Sequence, residues 1–387
     1  MRSVSGCALL CFFAAASTAC RDDLLHALFD AGTTGDQDDT PDFLDAGTTD
    51  AGTTDAGTSD AGTSDAGTVD AGPSDPPPFC GWRQVTLADH PAARLGATMS
   101  SAPTPGVLLF GGGTAATPED DTWTFNADTW SEPTPATTPP PRITAAMAAS
   151  PTDVVVFGGA NRANIVPDFI SDTWRFNGTD WVEHTTTPHP TKRSYAGLAF
   201  DSRNDVFVLF GGCDGHECPH QLGDTWTFDV ATGWHQMTPA HSPPARSAHC
   251  LVDDRARNQV LLFGGQDGAS QLSDSWGWNG TDWTQLAPTS SPSQRGNPTC
   301  TYDERQNVVV MFGGFGGDPP GNQMLDDVWV YSGTWSPVSL TPRPPTRTTH
   351  SMAYDTATGL HVVFGGFREN GTLPQFLSDT WELGLCL

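Results

Sequence analysis

Val107-Leu108-Leu109-Phe110-Gly111-Gly112, with Asp121-Thr122-Trp123 shortly after it, is the stretch that decides the fold, because the same pattern returns five more times. The doublets are Gly111-Gly112, Gly158-Gly159, Gly211-Gly212, Gly264-Gly265, Gly313-Gly314 and Gly365-Gly366, and the following tryptophans stand at 123, 174, 226, 276, 329 and 381. Successive doublets lie 47, 53, 53, 49 and 52 residues apart, a period that marks propeller blades rather than helical solenoids.

One unit reads as four strands. Arg94 opens a strand of small residues, Gly96-Ala97-Thr98-Met99-Ser100, and Val107 to Phe110 forms a second that runs into the glycines. Asp121-Thr122-Trp123-Thr124-Phe125 gives a third, whose alternation points Trp123 and Phe125 to one face, and a turn then leads to Trp130. Asn177-Gly178 and Asn279-Gly280 supply the hairpin signal before the last strand. Small first strands suit a crowded central axis, and the six third-strand tryptophans are expected to be the main contact between blades. The doublets mark backbone that turns with positive φ or approaches a neighbour closely.

This pattern resembles the kelch repeat, an apolar run ending in two glycines, a polar loop, an aromatic and a later tryptophan. The resemblance covers residues 80–387 and implies an all-β, six-bladed propeller of four-stranded blades. Asp-Thr-Trp stands where the family more often centres its third strand on tyrosine, which leaves the ligand unassigned.

The last unit stops at Trp381-Glu382-Leu383-Gly384-Leu385-Cys386 without a final tryptophan strand, and Gly81-Trp82-Arg83-Gln84-Val85 offers the missing one. Pairing the two ends would close the ring and remove exposed edges. Cys80 and Cys386 both map to the turn position of Asp128 in the first unit, so a disulfide is expected there. A local disulfide is expected between Cys213 and Cys218, in preference to a zinc site with His216 and His220. Cys250 lies four residues after Arg246 and Cys300 five after Arg295, positions that face opposite ways along a strand, so both are expected as buried free thiols.

The chain has 387 residues and a formal charge of −27, which argues against nucleic acid and anionic lipid surfaces as partners. Much of that charge precedes the repeats: residues 21–79 hold 14 aspartates and one arginine. Residues 1–19 have one arginine, a short apolar stretch and Ser17-Thr18-Ala19 before Cys20. This is the layout of an export signal. It resembles the bacterial lipoprotein signal, which implies lipidation of Cys20 and attachment to the cell envelope, with Ser17 in place of the usual leucine; ordinary secretion is the alternative. Residues 20–79, with Asp-Ala-Gly-Thr repeating every five residues from Asp45 to Asp75, read as a disordered acidic tether. Membrane contact is then expected only through the anchor, and the propeller as a monomer.

Each unit begins with an arginine: Arg94, Arg142, Arg193, Arg246, Arg295 and Arg347. These are the ligand-binding candidates, a ring at one channel mouth suited to an acidic protein or glycan. The competing reading pairs each with a carboxylate of its own blade, and uniform recurrence favours it. Repeat-breaking residues lie in the loops after the doublets, among them Asn161, Arg162, His216, Glu217, Phe315, Asp318, Phe367, Arg368 and Glu369. His249 and His350 share one repeat position and are expected as core hydrogen-bonders. No nucleophile–base pair, phosphate loop, metal site or cofactor motif is evident, so the expected function is binding of a protein or glycan through one loop face. The alternative is a carbohydrate-active enzyme, since kelch-like propellers include a sialic-acid mutarotase and galactose oxidase; Arg246 with His249, or Arg347 with His350, would then be the acid/base pair.

Overall fold

The computed structural model describes residues 79–103, 106–114, 117–161, 168–215, 218–317, 323–370 and 373–386. The export signal, Cys20, the acidic tether up to residue 78, Arg162, His216, Glu217 and Asp318 lie outside the described residues.

In the first repeat, strands Thr98–Ser101, Val107–Phe110, Thr122–Asn126 and Thr129–Ser131 pair antiparallel in chain order. The same meander recurs in the next four repeats. The sixth sheet takes Ser351–Asp355, Leu360–Phe364 and Thr380–Gly384 from the C-terminal end and Gly81–Val85 from the N-terminal side. Trp82 lies opposite Leu383 and Gln84 opposite Trp381 in that seam. The innermost strand of each sheet neighbours that of the next, and the sixth neighbours the first, so the blades form a closed ring. Among the described residues the only helical element is a 3-10 turn, Arg255–Arg257.

Second strands are apolar on both sides because a blade is covered on both faces by its neighbours; Val107–Phe110 and Val154–Phe157 are buried throughout. Tryptophans of both the third and the fourth strands lie at the blade interfaces, Trp174, Trp226 and Trp381 among the former, and those of the fourth are the more deeply buried. Trp82, Trp130, Trp181, Trp234, Trp283 and Trp335 are at most 3% exposed. Each packs on the phenylalanine that precedes the doublet of the preceding blade, with ring centroids 4.9–5.3 Å apart. Full burial of one indole, ~150–250 Å², stabilises by an upper-bound ~4–6 kcal/mol. Third-strand Trp123, Trp276 and Trp329 stay only partly buried.

Five fourth-strand indoles also donate to a hydroxyl across the interface: Trp130 to Thr380, Trp181 to Thr122, Trp234 to Thr173, Trp283 to Thr225 and Trp335 to Ser275, at 2.8–3.1 Å. The sixth, Trp82, faces the blade in which Val328 replaces that hydroxyl, and its Nε1 is buried without a partner.

Disulfides join Cys80 to Cys386 across the seam, with Cα atoms 5.6 Å apart, and Cys213 to Cys218 within one loop. A third joins Cys250 to Cys300, which corrects the expectation of two free thiols. The two residues do point opposite ways within their own blades. In a ring, however, the leading face of one wedge abuts the trailing face of the next, so opposite orientations in consecutive blades converge on one interface.

Candidate functional site

Each of the six arginines is at most 3% exposed. Its Nη1 and Nη2 grip both carboxylate oxygens of the Asp-x-Trp aspartate of its own blade at 2.6–2.9 Å. The pairs are Arg94–Asp121, Arg142–Asp172, Arg193–Asp224, Arg246–Asp274, Arg295–Asp327 and Arg347–Asp379. Nη1 also donates to the carbonyl of the first doublet glycine, and Nε to the carbonyl two residues upstream, as Arg193 does to Gly211 and Thr191. The third-strand indole donates to the same carboxylate, Trp226 to Asp224 at 2.7 Å for example.

Burial pushes the Asp224, Asp274, Asp327 and Asp379 carboxyls up, but the arginine hydrogen bonds and charge, with the indole N–H, more than reverse this and hold them below the usual carboxylate range. At least four of the five N–H groups of each guanidinium are thereby taken, and all five in Arg193 and Arg295. The ligand-binding assignment of Arg94, Arg142, Arg193, Arg246, Arg295 and Arg347 is therefore corrected: they are architecture.

The doublets complete this clamp between blades. The first glycine has φ of 63–67° and the second 85–101°, conformations that favour glycine. The second glycine donates its N–H to the carbonyl of the next blade's arginine at 2.8–3.3 Å, and Gly366 does so to Arg94, across the ring closure. A Cβ on Gly211 would sit 2.4 Å from the Arg246 carbonyl oxygen, so the approach excludes any side chain.

Two residues after each arginine the chain turns left-handed. Gly96, Thr144, Tyr195, Ala248, Asn297 and Thr349 have φ of 49–63°. Their backbones form a collar around the axis: Thr144 donates to Gly96, Tyr195 to Thr144, Ala248 to Tyr195, Asn297 to Ala248 and Gly96 to Thr349, at 2.7–3.1 Å. These residues and those that follow them line a cup of about 130 Å³ at the doublet end of the channel, and no charged side chain is among its lining residues. His249, His350 and Thr299 also line it. The pattern Arg-x-x did not reveal this ring in the sequence, because the third position varies from glycine to tyrosine; only the shared backbone conformation unites it.

The histidines differ although their positions match. His350 Nε2 lies 2.8 Å from the Thr299 hydroxyl, and the ring stacks edge-on against Phe312. His249 packs on Phe210 in the same way, but Gly197 stands where Thr299 would, and both of its ring nitrogens are buried without a partner. Burial, aided by the nearby Arg246 or Arg347 charge, pushes each imidazole down to about 3. Arg246 with His249 and Arg347 with His350 are therefore corrected as acid/base pairs: the guanidinium is committed to an aspartate and the imidazole stays neutral near pH 7.

The loops after the doublets build diverse rims. Asn161 pairs with Asp168 in a short hairpin, and Cys213-Asp214 pairs with His220-Gln221, where Asp214 lies 3.1 Å from His220. Phe315, Met324 and Phe367 form a small apolar cluster with Leu95 that joins three blades. Arg368 donates to Gln375 and Glu369 is exposed. The Asn177 and Asn279 side chains accept backbone N–H groups of their own turns. Among the described residues no cluster of three or more His, Cys, Asp or Glu suits a metal ion.

A family model described as the KLHDC2/KLHL20/DRC7 Kelch-repeats domain matches residues 80–265 and 233–385. The F-box/kelch-repeat protein At1g51550 of Arabidopsis thaliana is 30% identical over 192 residues, 44% of this chain and 39% of that protein. This chain thus spans well under half of that relative. A solved structure of YjhT superposes with a TM-score of 0.58 at 16% identity, covering 76% of this chain and 95% of that one, a likeness of fold.

Proposed function

The chain belongs to the kelch-repeat family, and from that premise we propose that it is an exported, envelope-tethered binding module that takes a protein or glycan on the face bearing the glycine doublets. The kelch propeller is commonly a protein-binding module. The observation that carries the reading is a division of labour among repeat positions. Uniform residues, the arginine, aspartate, doublet and tryptophans, are consumed by the clamp and the blade interfaces. Residues that differ between blades form the cup lining and the loop rims of the doublet face, and loops on a rigid scaffold commonly carry function. Because six arginines are neutralised by six aspartates, they give no reason to expect an acidic ligand. Residues 1–20 support export with a lipid on Cys20.

Two measurements test this. Hydrogen exchange on the full chain, with a ligand selected from immobilised glycans and peptides, should protect amides around residues 144, 195, 248 and 297; protection confined to the opposite turns, such as 202–205, would remove the doublet face from consideration. Cys20→Ser should release the protein from membranes to the soluble fraction, and retention on membranes would end the anchor proposal.

A further inference from the structure

We infer that the cup at the doublet end of the channel is a pocket for an uncharged, hydroxyl-bearing edge of a sugar, bound by Tyr195, His249 and Asn297; this rests on the binding-module reading and names its ligand class. Three observations carry it. First, the cup breaks the six-fold pattern. At the positions two and three residues after each arginine the blades present Gly96-Ala97, Thr144-Ala145, Tyr195-Ala196, Ala248-His249, Asn297-Pro298 and Thr349-His350. The arginine, aspartate and doublet positions beside the cup are by contrast the same in every blade.

Second, its buried polar atoms lack partners. His249 is 8% exposed, with Nδ1 and Nε2 both unsatisfied, and the Asn297 Nδ2 is unsatisfied as well. The equivalent His350 has the Thr299 hydroxyl; Gly197 withholds that group from His249. Buried groups of this kind are ordinarily paired. A neutral imidazole offers one donor and one acceptor, and the amide offers donors. A hydroxyl, which both donates and accepts, matches this set.

Third, ions find no counterpart. No lysine, arginine, aspartate or glutamate lines the cup, and the adjacent guanidiniums are taken by aspartates. The cup holds about 130 Å³; at about 30 Å³ per water, that is room for roughly four waters, enough for one hydroxyl-bearing edge of a sugar. The left-handed Thr144, Tyr195 and Thr349 are costly conformations for side chains of their type, and the collar of backbone hydrogen bonds keeps them in place before a ligand arrives.

The test is ligand-observed NMR and calorimetry on the full chain, with methyl glycosides of glucose, galactose, mannose and N-acetylglucosamine, the matching uronic acids, and lysine and arginine amides. One neutral glycoside should bind saturably. Asn297→Gly, which removes the amide but keeps the left-handed turn, should weaken it by about fivefold or more, and Tyr195→Ala likewise; thermal unfolding checks that both variants fold. Absence of binding by every neutral glycoside, tighter binding of a uronic acid or cationic amide, or unchanged affinity in both variants overturns the inference. If a peptide ligand protects the doublet face while the glycosides fail, the cup assignment falls and the binding-module reading stands.

Discussion

Val328 is where the repeat loses a hydroxyl, and Trp82 is the indole left without an acceptor. Val328→Thr, nearly isosteric, is expected to stabilise the protein by about 1 kcal/mol, the usual net worth of a buried hydrogen bond. Urea unfolding of the two forms checks this, and an unchanged or lower midpoint would show that the indole is satisfied otherwise. Two kinds of buried titratable group set separate acid windows. His249 and His350 stay neutral in the fold down to about 3, whereas in the unfolded chain they take up protons near pH 6.5. Their contribution is whole above pH 6.5 and is lost as pH falls from there toward 3, by about 1.4 kcal/mol per pH unit for each histidine. The clamp carboxylates of Asp224, Asp274, Asp327 and Asp379 are depressed, so their contribution persists to the ordinary carboxylate range and is lost only below about pH 4. Urea midpoints between pH 7 and 4.5 should therefore fall, and His350→Gln should roughly halve the slope; a flat profile in that interval would contradict the burial of neutral imidazoles.

At the scale of strands, the sequence disclosed whatever every blade repeats. The doublets, the Asp-x-Trp strand and the borrowed Gly81–Val85 strand were readable because each recurs, or completes a recurrence. Misreadings arose where a contact crosses from one blade to the next. Trp130 and its equivalents outrank Trp123 as bridges because the fourth strand overlies the preceding blade, a fact of disc geometry that one unit's alternation cannot express. Cys250 and Cys300 meet for the same reason. The recurrence of the arginines was legible, but their pairing with the aspartates and their burial depend on strands some thirty residues apart in the chain. Tyr195 and Asn297 gave no signal, since a left-handed φ is not encoded by residue type at that position.

For the whole molecule, closure means that no blade is an end. The gap between Cys386 and Cys80 occupies the place of a hairpin turn, such as Asn177-Gly178 in the second blade. A circular permutant with residues 80 and 386 joined by a short linker and new termini at that turn should retain the fold, with an unfolding midpoint close to that of the parent. Loss of cooperative unfolding in this permutant would mean that the native seam is special and not one interface among six equals. The bridge beside Phe79 has a mechanical consequence. Tension applied at Phe79 would meet Cys80 before it met Gly81–Val85, and the sulfur–sulfur link would hand the load to Cys386. A pull from that side cannot peel the borrowed strand away rung by rung. While the bond is oxidised, the seam of the ring is held by a covalent link as well as by strand pairing.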